Sequence, residues 1–266
     1  MHAATAATPV TGLDDRLVVI TGASRGIGRA IAERLAERGS RVVLAGRNLE
    51  AAEAVAKGIR QRGGAAEAVA CDVTDEASVA ALVERTAAWG GALDVLINNA
   101  GLVLLRPHEQ ISLAEWRQVL DTNLTGAWLC TKHASPWLRR SHCGRVINMA
   151  SVSGVVGMAG RSLYGSSKAG LIHLTRVLAL EFVADKVTVN AIAPGTIDTE
   201  MSRDVFRQLP ELRDKLLASI PAGRQGQLDE IVAAALFLLS AEAAYMTGQV
   251  LCIDGGMSVT GGHGML

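Results

Sequence analysis

Tyr164 and Lys168 stand four residues apart, a spacing that on a helix puts a phenol and an ammonium on one face. A phenol titrates near pH ~10. A neighbouring ammonium favours the phenolate and draws that value toward the working range of a proton donor or acceptor. The chain has two tyrosines and five lysines, so chance yields a Tyr-x3-Lys pair only about 0.04 times in such a composition. Ser151, thirteen residues before Tyr164, carries a hydroxyl able to hold a substrate oxygen.

A second constellation lies near the start of the chain. The apolar run Leu17–Ile20 leads into Thr21-Gly22-Ala23-Ser24-Arg25-Gly26-Ile27-Gly28 and then a helical stretch. Glycines at 22, 26 and 28 let the backbone turn sharply, so that a pyrophosphate can sit against the N–H groups of the following helix. The spacing is Gly-x3-Gly-x-Gly rather than Gly-x-Gly-x2-Gly. Ser24, Arg25 and Ile27 belong to the same loop. In such nucleotide sites an acid after the second strand accepts the ribose 2′-OH and repels a 2′-phosphate. Here the segment is Leu44-Ala45-Gly46-Arg47-Asn48, with an arginine and no acid. Arg47 and Arg25 together suit a phosphate dianion, which guanidiniums bind with charge-assisted, forked bonds. The reading is NADP(H), with NAD(H) second. Asn98-Asn99-Ala100-Gly101 follows the fourth expected strand and reaches the same sheet edge.

The elements that must position these groups alternate along the chain. Strands are expected at Leu17–Ile20, Arg41–Ala45, Ala66–Ala70, Leu93–Ile97, Arg145–Met149, Val187–Ile192 and Val250–Ile253. Between them run helical patterns: one ending at Gly39, one capped by Asn48, one capped by Asp75, a long one over 113–138, another over 163–184, and a last over 229–240. Alternation of this kind implies parallel strands joined by right-handed crossovers in one α/β domain. The helix from Leu163 carries apolar residues on more than one face, including Val177 and Leu180, so it is expected to pack on the sheet and on another subunit.

Composition narrows the function classes. Twenty-six Lys+Arg balance 26 Asp+Glu, which argues against nucleic acid or an anionic membrane as the main partner. Cys71, Cys130, Cys143 and Cys252 form no Cys-x2-Cys pair and the six histidines are scattered, so free thiols in a reducing cytosol are expected and no metal. The N-terminus lacks a basic segment followed by an apolar one, and the longest apolar run, Ile231–Leu239, is too short to cross a bilayer. The expectation is a cytoplasmic protein.

Taken together these motifs resemble the short-chain dehydrogenase/reductase family over roughly Leu13 to Ser258. The resemblance implies a Rossmann-type, doubly wound sheet of about seven parallel strands in the order 3-2-1-4-5-6-7, with helices on both faces. It implies a catalytic tetrad of Asn123, Ser151, Tyr164 and Lys168, the thirteen-residue spacing favouring Ser151 over Ser153. It places Gly22, Gly26, Gly28, Asn99, Ala100 and Gly101 at the cofactor, and Asp72 with the adjacent Val73 at the adenine. Pro194 and Gly195, with Ile197 and Thr199, fall where the family meets the nicotinamide. In the implied mechanism Tyr164 exchanges a proton with the substrate oxygen, Ser151 holds that oxygen, and Lys168 acidifies Tyr164 and binds the ribose. Asn123 positions a relaying water. Two departures stand out: Lys186 where the family often has Gly before the sixth strand, and Thr188 in place of a common Arg.

Substrate-side candidates are Ser151, Ser153, Met158, Arg161 and Phe206, with Val103, Val155, Met201 and Leu209 beside them. Most are apolar, which suggests a small-molecule ketone or alcohol with an aliphatic or ring body. A 3-oxoacyl thioester is one subclass. Arg139, Arg140 and Arg145 offer basic residues for an acidic carrier protein at the pocket mouth, and Asp185 opposes that reading. A sugar or polyol dehydrogenase and a non-catalytic NADP(H) sensor are the alternatives. Residues 1–12 are expected to form a flexible tail, 196–219 a mobile lid and 259–266 a Gly-rich tail, with a homotetramer or dimer as the assembly.

Overall fold

A computed structural model describes residues 12–208 and 210–259. Leu209, the side chain of Met201, and nearly all of the two expected tails lie outside the described residues. Seven strands form one sheet: β1 (Leu17–Thr21), β2 (Arg41–Gly46), β3 (Ala65–Ala70), β4 (Val95–Asn98), β5 (Arg145–Met149), β6 (Thr188–Pro194) and β7 (Val250–Ile253). Their order is β3-β2-β1-β4-β5-β6-β7 and every pairing is parallel. The chain therefore reverses its winding between β1 and β4, and the crevice at the carboxyl ends there is the place where such sheets bind ligands.

The strands are apolar on both faces because both are covered. Along β1, Val18 and Ile20 face a core built with Ile31 and Leu35 of helix α1 (Gly26–Glu37), Ile59 of α2 (Leu49–Gln61) and Leu236 of α9 (Leu228–Leu239). Leu17 and Val19 point the other way, to Leu82 of α3 (Glu76–Gly90), Leu129 and Leu138 of α5 (Gly126–Leu138) and Leu178 of α6 (Ser162–Phe182). The period-two alternation of a strand produces this division. Leu17, Ile20, Leu35 and Ile97 are fully buried, each contributing about 1.5–3 kcal/mol of transfer free energy.

The expected caps are present. Asn48 Oδ1 accepts from Ala51 N–H at 3.0 Å, and Asp75 Oδ1 from Ala77 N–H at 3.2 Å. Gly39, with φ +83°, follows the end of α1.

Two elements depart from the sequence expectation. Strand β4 begins at Val95 rather than Leu93, because the Asp94 carboxylate instead closes the amino edge, accepting from Leu17 N–H at 2.9 Å and Ser141 Oγ at 2.6 Å. The helix expected over 113–138 is three pieces: α4 (Leu113–Leu120), a π turn at Asp121–Thr125, and α5. The π turn carries Asn123, whose buried side chain is tied to the chain after β4. Such bulges occur mostly at functional sites. The helical segment expected between Thr199 and Ser219 is present as two helices, α7 (Glu200–Gln208) and α8 (Pro210–Ala218).

Lys186, just before β6, adopts φ +60°, the left-handed region where a Cβ is penalised by about 1–2 kcal/mol. The departure from glycine noted in the sequence therefore falls where glycine fits the backbone. Lys186→Gly is expected to leave stability unchanged or raise it by up to about 1 kcal/mol, the entropy of glycine offsetting part of the relief. Urea denaturation checks this, and a clear loss of stability would contradict it.

Candidate active site

The glycine loop follows β1 and is bolted in place from β4. Asn99 and Ala100 N–H both donate to Thr21 Oγ1 at 3.0 Å, and Asn99 Nδ2 donates to the carbonyls of Thr21 and Gly22 at 2.9 and 3.0 Å. Gly22 and Gly26 have φ of +66° and +56°. At Gly28 a Cβ would lie 2.5 Å from Asn99 Nδ2 and 2.7 Å from the Gly22 carbonyl, so only glycine fits. Arg25 caps α1 with extended backbone and no side-chain acceptor, and the first turn of α1 contains no acid. The leading N–H groups of a twelve-residue helix are thus left without a competing side-chain anion, which suits a phosphate. Ser24 is partly buried and Ile27 packs against the sheet core.

At the far end of the crevice Arg47 follows β2 and is exposed, as is Arg25. Neither guanidinium has an ion-pair partner among the described residues. Asp72 follows β3, and its Oδ1 accepts from Thr74 N–H at 3.0 Å and Thr74 Oγ1 at 2.8 Å. Those bonds hold its carboxyl below the ordinary value, with a smaller lowering from Arg47, which places the Arg47 charge near Asp72. Val73 is buried against Gly126, where a Cβ would come within 2.8 Å of it.

The reacting groups come from β5 and α6. Ser151, two residues past β5, caps a 3-10 turn at Val152–Gly154, its Oγ accepting from Ser153 N–H at 3.2 Å. Gly154 lets that turn press on α6: a Cβ there would lie 2.6 Å from the Lys168 carbonyl carbon. Tyr164 sits in the first turn of α6, its hydroxyl near enough to Ser151 to be pulled down by it. Lys168, one turn on, is 4% exposed, with Nζ donating to the Met149 carbonyl at 2.7 Å and lying 5.8 Å from the Tyr164 ring centre. Asn123 accepts from Leu102 N–H at 2.7 Å and donates to the Leu102 carbonyl at 2.9 Å and Ser167 Oγ at 3.0 Å. A Cβ on Gly101 would be 3.5 Å from both Asn123 Oδ1 and Lys168 Nζ, so the two side chains converge on the loop after β4. The four residues named from the sequence thus share one end of the sheet.

Burial pushes the Tyr164 phenol up, while the neighbouring Ser151 hydroxyl and the Arg161 guanidinium pull it down. The same burial pushes Lys168 down to about 8. The Arg161 guanidinium is one cation that pulls the phenol down, and Lys168 Nζ lies 5.8 Å from its ring centre.

Pro194 ends β6, and Gly195 N–H donates to the Ile253 carbonyl at 2.9 Å. Ile197 is buried and bridges Gly226; Thr199 Oγ1 caps α7 by accepting from Ser202 N–H at 3.2 Å. These residues lie past the carboxyl end of β6. On the substrate side Ser153, Met158 and Arg161 come together: Ser153 Oγ faces Met158 Sδ at 3.6 Å, and Arg161 Nη1 donates to Ser153 Oγ at 3.2 Å. Phe206 lies on α7, half-buried, and Val155 and Val103 flank the turns after β5 and β4.

The basic trio does not reach this mouth. Arg139 and Arg140 end α5, pairing with Asp185 and lying 4.2 Å from the Trp137 ring centre respectively, and Arg145 is the buried first residue of β5. In a parallel sheet the start of β5 is the opposite edge from the site, which the sequence spacing did not reveal. Sequence reading also missed a buried polar ladder. Asn98 Nδ2 donates to Thr131 Oγ1 at 3.0 Å and Asn148 Oδ1 at 2.9 Å, and Asn148 Nδ2 to Thr175 Oγ1 at 2.9 Å. Its only sequence signal is the run of polar residues inside apolar strands.

Comparison with known proteins fits this geometry. The family model described as Enoyl-(Acyl carrier protein) reductase matches residues 22–258. The chain belongs to the short-chain dehydrogenase/reductase family. It is 42% identical over 244 residues to a cis-4-hydroxycyclohexanecarboxylate dehydrogenase of Sinomonas cyclohexanicum, covering 91% of this chain and 96% of the relative. It is also 42% identical over 245 residues to a 3-oxoacyl-acyl-carrier-protein reductase of Staphylococcus aureus, with 90% and 96% covered. A doubly substituted variant of the Serratia marcescens short-chain dehydrogenase/reductase superposes with a TM-score of 0.87 at 33% identity, covering 93% of this chain and 99% of that one. As a member of the short-chain dehydrogenase/reductase family the protein is an oxidoreductase of the alcohol–ketone class. Among the described residues no helix is long and apolar enough to cross a membrane.

The depressed Lys168 gives a stability test. Between about 8 and its ordinary 10.5 the unfolded chain holds a proton that the folded one has released, so folding gains stability as pH rises through that window. Below about 8 both states are charged and the cost of burying the ammonium, of order 3 kcal/mol, is fully present. In urea denaturation the stability of wild type relative to Lys168→Met is expected to be flat below that window and to climb across it. A difference independent of pH would contradict the assignment.

Proposed function

We propose that the protein is an NADP(H)-dependent oxidoreductase that interconverts a ketone and a secondary alcohol, acting on the CH–OH group of its donor. The observation that carries this reading is the pair of neighbouring hydroxyls, Ser151 and Tyr164, beside a buried lysine at the crevice where the glycine loop ends. The glycine loop, the uncapped α1 N-terminus, Asn99 to Gly101, Asp72 with Val73, and Pro194 to Thr199 would hold the dinucleotide. Gly28, which admits no Cβ, and a first helical turn without acids fit that group. When bound, the dihydronicotinamide supplies hydride to the carbonyl carbon.

The chain's own residues do the rest. Tyr164 gives its phenolic proton to the carbonyl oxygen, and Ser151 donates a hydrogen bond to the same oxygen, fixing it beside the phenol. Lys168, already easy to deprotonate, stabilises the phenolate and returns its proton, with the ribose hydroxyls as its other partners. Asn123 holds the loop after β4 against α6, and the remaining lone pair of its Oδ1 is free for a water on the proton path. In the oxidative direction the tyrosinate takes the alcohol proton.

Arg25 and Arg47, both without ion-pair partners among the described residues, support the 2′-phosphate and hence NADP(H) over NAD(H). The named relatives act on a ring-bearing alcohol and on a 3-oxoacyl group, which supports a substrate with an aliphatic or ring body. Without carrier-facing arginines at the mouth, a free small molecule is the better supported form. Val177, Leu180 and Val183 lie exposed on the outer side of α6 and the turn after it, and support a homo-oligomer, a tetramer or dimer.

Tyr164→Phe is expected to lower turnover of any accepted ketone by about 10²–10⁴-fold, the usual worth of a positioned proton donor, while cofactor still binds. NADPH absorbance and fluorescence titration read the two effects, and unchanged turnover would refute the role. Arg47→Asp with Arg25→Ala is expected to move the NADPH:NADH preference at least tenfold toward NADH, each charge-assisted contact being worth about that much. A ratio of kcat/KM values that stays where it was would dismiss the 2′-phosphate reading.

A further inference from the structure

Arg161 stands beside the reacting hydroxyls, and beyond its pull on the Tyr164 phenol the hydride-transfer reaction gives its guanidinium no partner. It ends the loop after β5 and stands three residues before Tyr164. Its guanidinium is half-buried, and burial pulls against its charge. Its side-chain partner is a neutral hydroxyl: Nη1 donates to Ser153 Oγ at 3.2 Å. Among the described residues no carboxylate pairs with it.

Arg25 and Arg47 of the same edge are unpaired among the described residues but exposed to water, and two further arginines there are matched. Arg203 pairs with Asp198 at 2.7 Å and Arg224 with Glu230 at 2.7 Å. The buried Arg16 and Arg145 on the opposite edge donate to the Leu239 and Ser240 carbonyls, the negative end of α9. Arg161, by contrast, precedes the first residue of α6, where the aligned peptide dipoles repel a cation, and the first turn of α6 holds no acid. A guanidinium has five donors, and a desolvated one with a single neutral partner is destabilising unless an anion joins it.

Its position says where that anion would come from. Ser153, 6% exposed, gives its N–H to Ser151 Oγ at 3.2 Å, and Ser151 neighbours the Tyr164 hydroxyl. One chain of contacts thus runs from the guanidinium through Ser153 to the two hydroxyls that would hold the reacting oxygen. Met158 Sδ, 3.6 Å from Ser153 Oγ, closes the apolar side. We infer that Arg161 is a specificity-determining residue that binds an anionic group, foremost a carboxylate, carried by the ketone or alcohol substrate a few bonds from its reacting carbon. The inference rests on the oxidoreductase reading and names the substrate class for it: oxo acids and hydroxy acids rather than neutral ketones.

Charge-assisted, forked bonding discriminates an acid from its ester by about tenfold or more, the worth of one such bond. The test compares kcat/KM for an oxocyclohexanecarboxylate with its methyl ester, and for acetoacetyl-coenzyme A with the N-acetylcysteamine thioester, which lacks the phosphates. Wild type is expected to prefer the charged member of the carboxylate pair at least tenfold. Arg161→Gln should collapse that ratio toward one, and Arg161→Lys should restore part of it. A preference confined to the coenzyme A pair and lost in Arg161→Gln assigns the anion to a phosphate. The absence of any Arg161-dependent preference in both pairs overturns the inference.

Calorimetric titration of the enzyme–NADP⁺ complex with cyclohexanecarboxylate, which has the anion but no carbonyl, separates the two readings. Binding that is lost in Arg161→Gln upholds the anion site even if no ketone in the panel is reduced, in which case the oxidoreductase reading fails by itself. If wild type neither discriminates nor binds the carboxylate, the anion site is wrong whatever the enzyme reduces.

Discussion

An ammonium held out of water at the end of β5 organises the rest of the site. Lys168 is 4% exposed and has the Met149 carbonyl as its protein partner, so its charge is poorly solvated and its proton loosely held. Burying a lysine this way is destabilising in isolation. It can be sustained because α6 is clamped from several sides: Gly154 and Gly165 allow the turn after β5 to touch its backbone, and Thr175 ties it to Asn148 inside the sheet. Each of those contacts also fixes Tyr164, which rides the same helix one turn away.

A second layer of constraint lies beneath. Asn98 and Asn148 occupy matching positions on β4 and β5, Asn98 donating to Asn148 in the dry interior, with Thr131 and Thr175 extending the ladder to α5 and α6. Buried polar groups are costly unless partnered, so the ladder admits few registers between these four elements. The next residue, Asn99, carries the same logic to β1 by holding Thr21 and Gly22. The phosphate loop and the proton-transfer pair are thereby referenced to one rigid frame, which is what orientation-dependent chemistry needs.

Much of this was legible in the residues. Caps at Asn48 and Asp75, the stop at Gly39 and the alternation of elements follow from local backbone physics and apolar periodicity. The Tyr164–Lys168 face and the glycine loop follow from fixed spacing within single elements. What was not legible depended on contacts between distant segments. The π turn at Asp121–Thr125 exists because Asn123 answers to Leu102 and Ser167. The arginines at 139, 140 and 145 looked available for a partner, yet the direction of β5 sends them to the far edge.

The sequence by itself determined the class of fold and the inventory of chemistry, because strand and helix periods, turn glycines and a four-residue spacing act over short range. Only the tertiary structure decided how the charges are used. Burial depth turns Lys168 into a weakly held proton, brings the Arg161 guanidinium close enough to pull on Tyr164, and leaves that arginine without a counter-ion among the described residues. Desolvation and Coulomb interaction depend on what folds up around a group, and that is set by the packing of segments far apart in the chain.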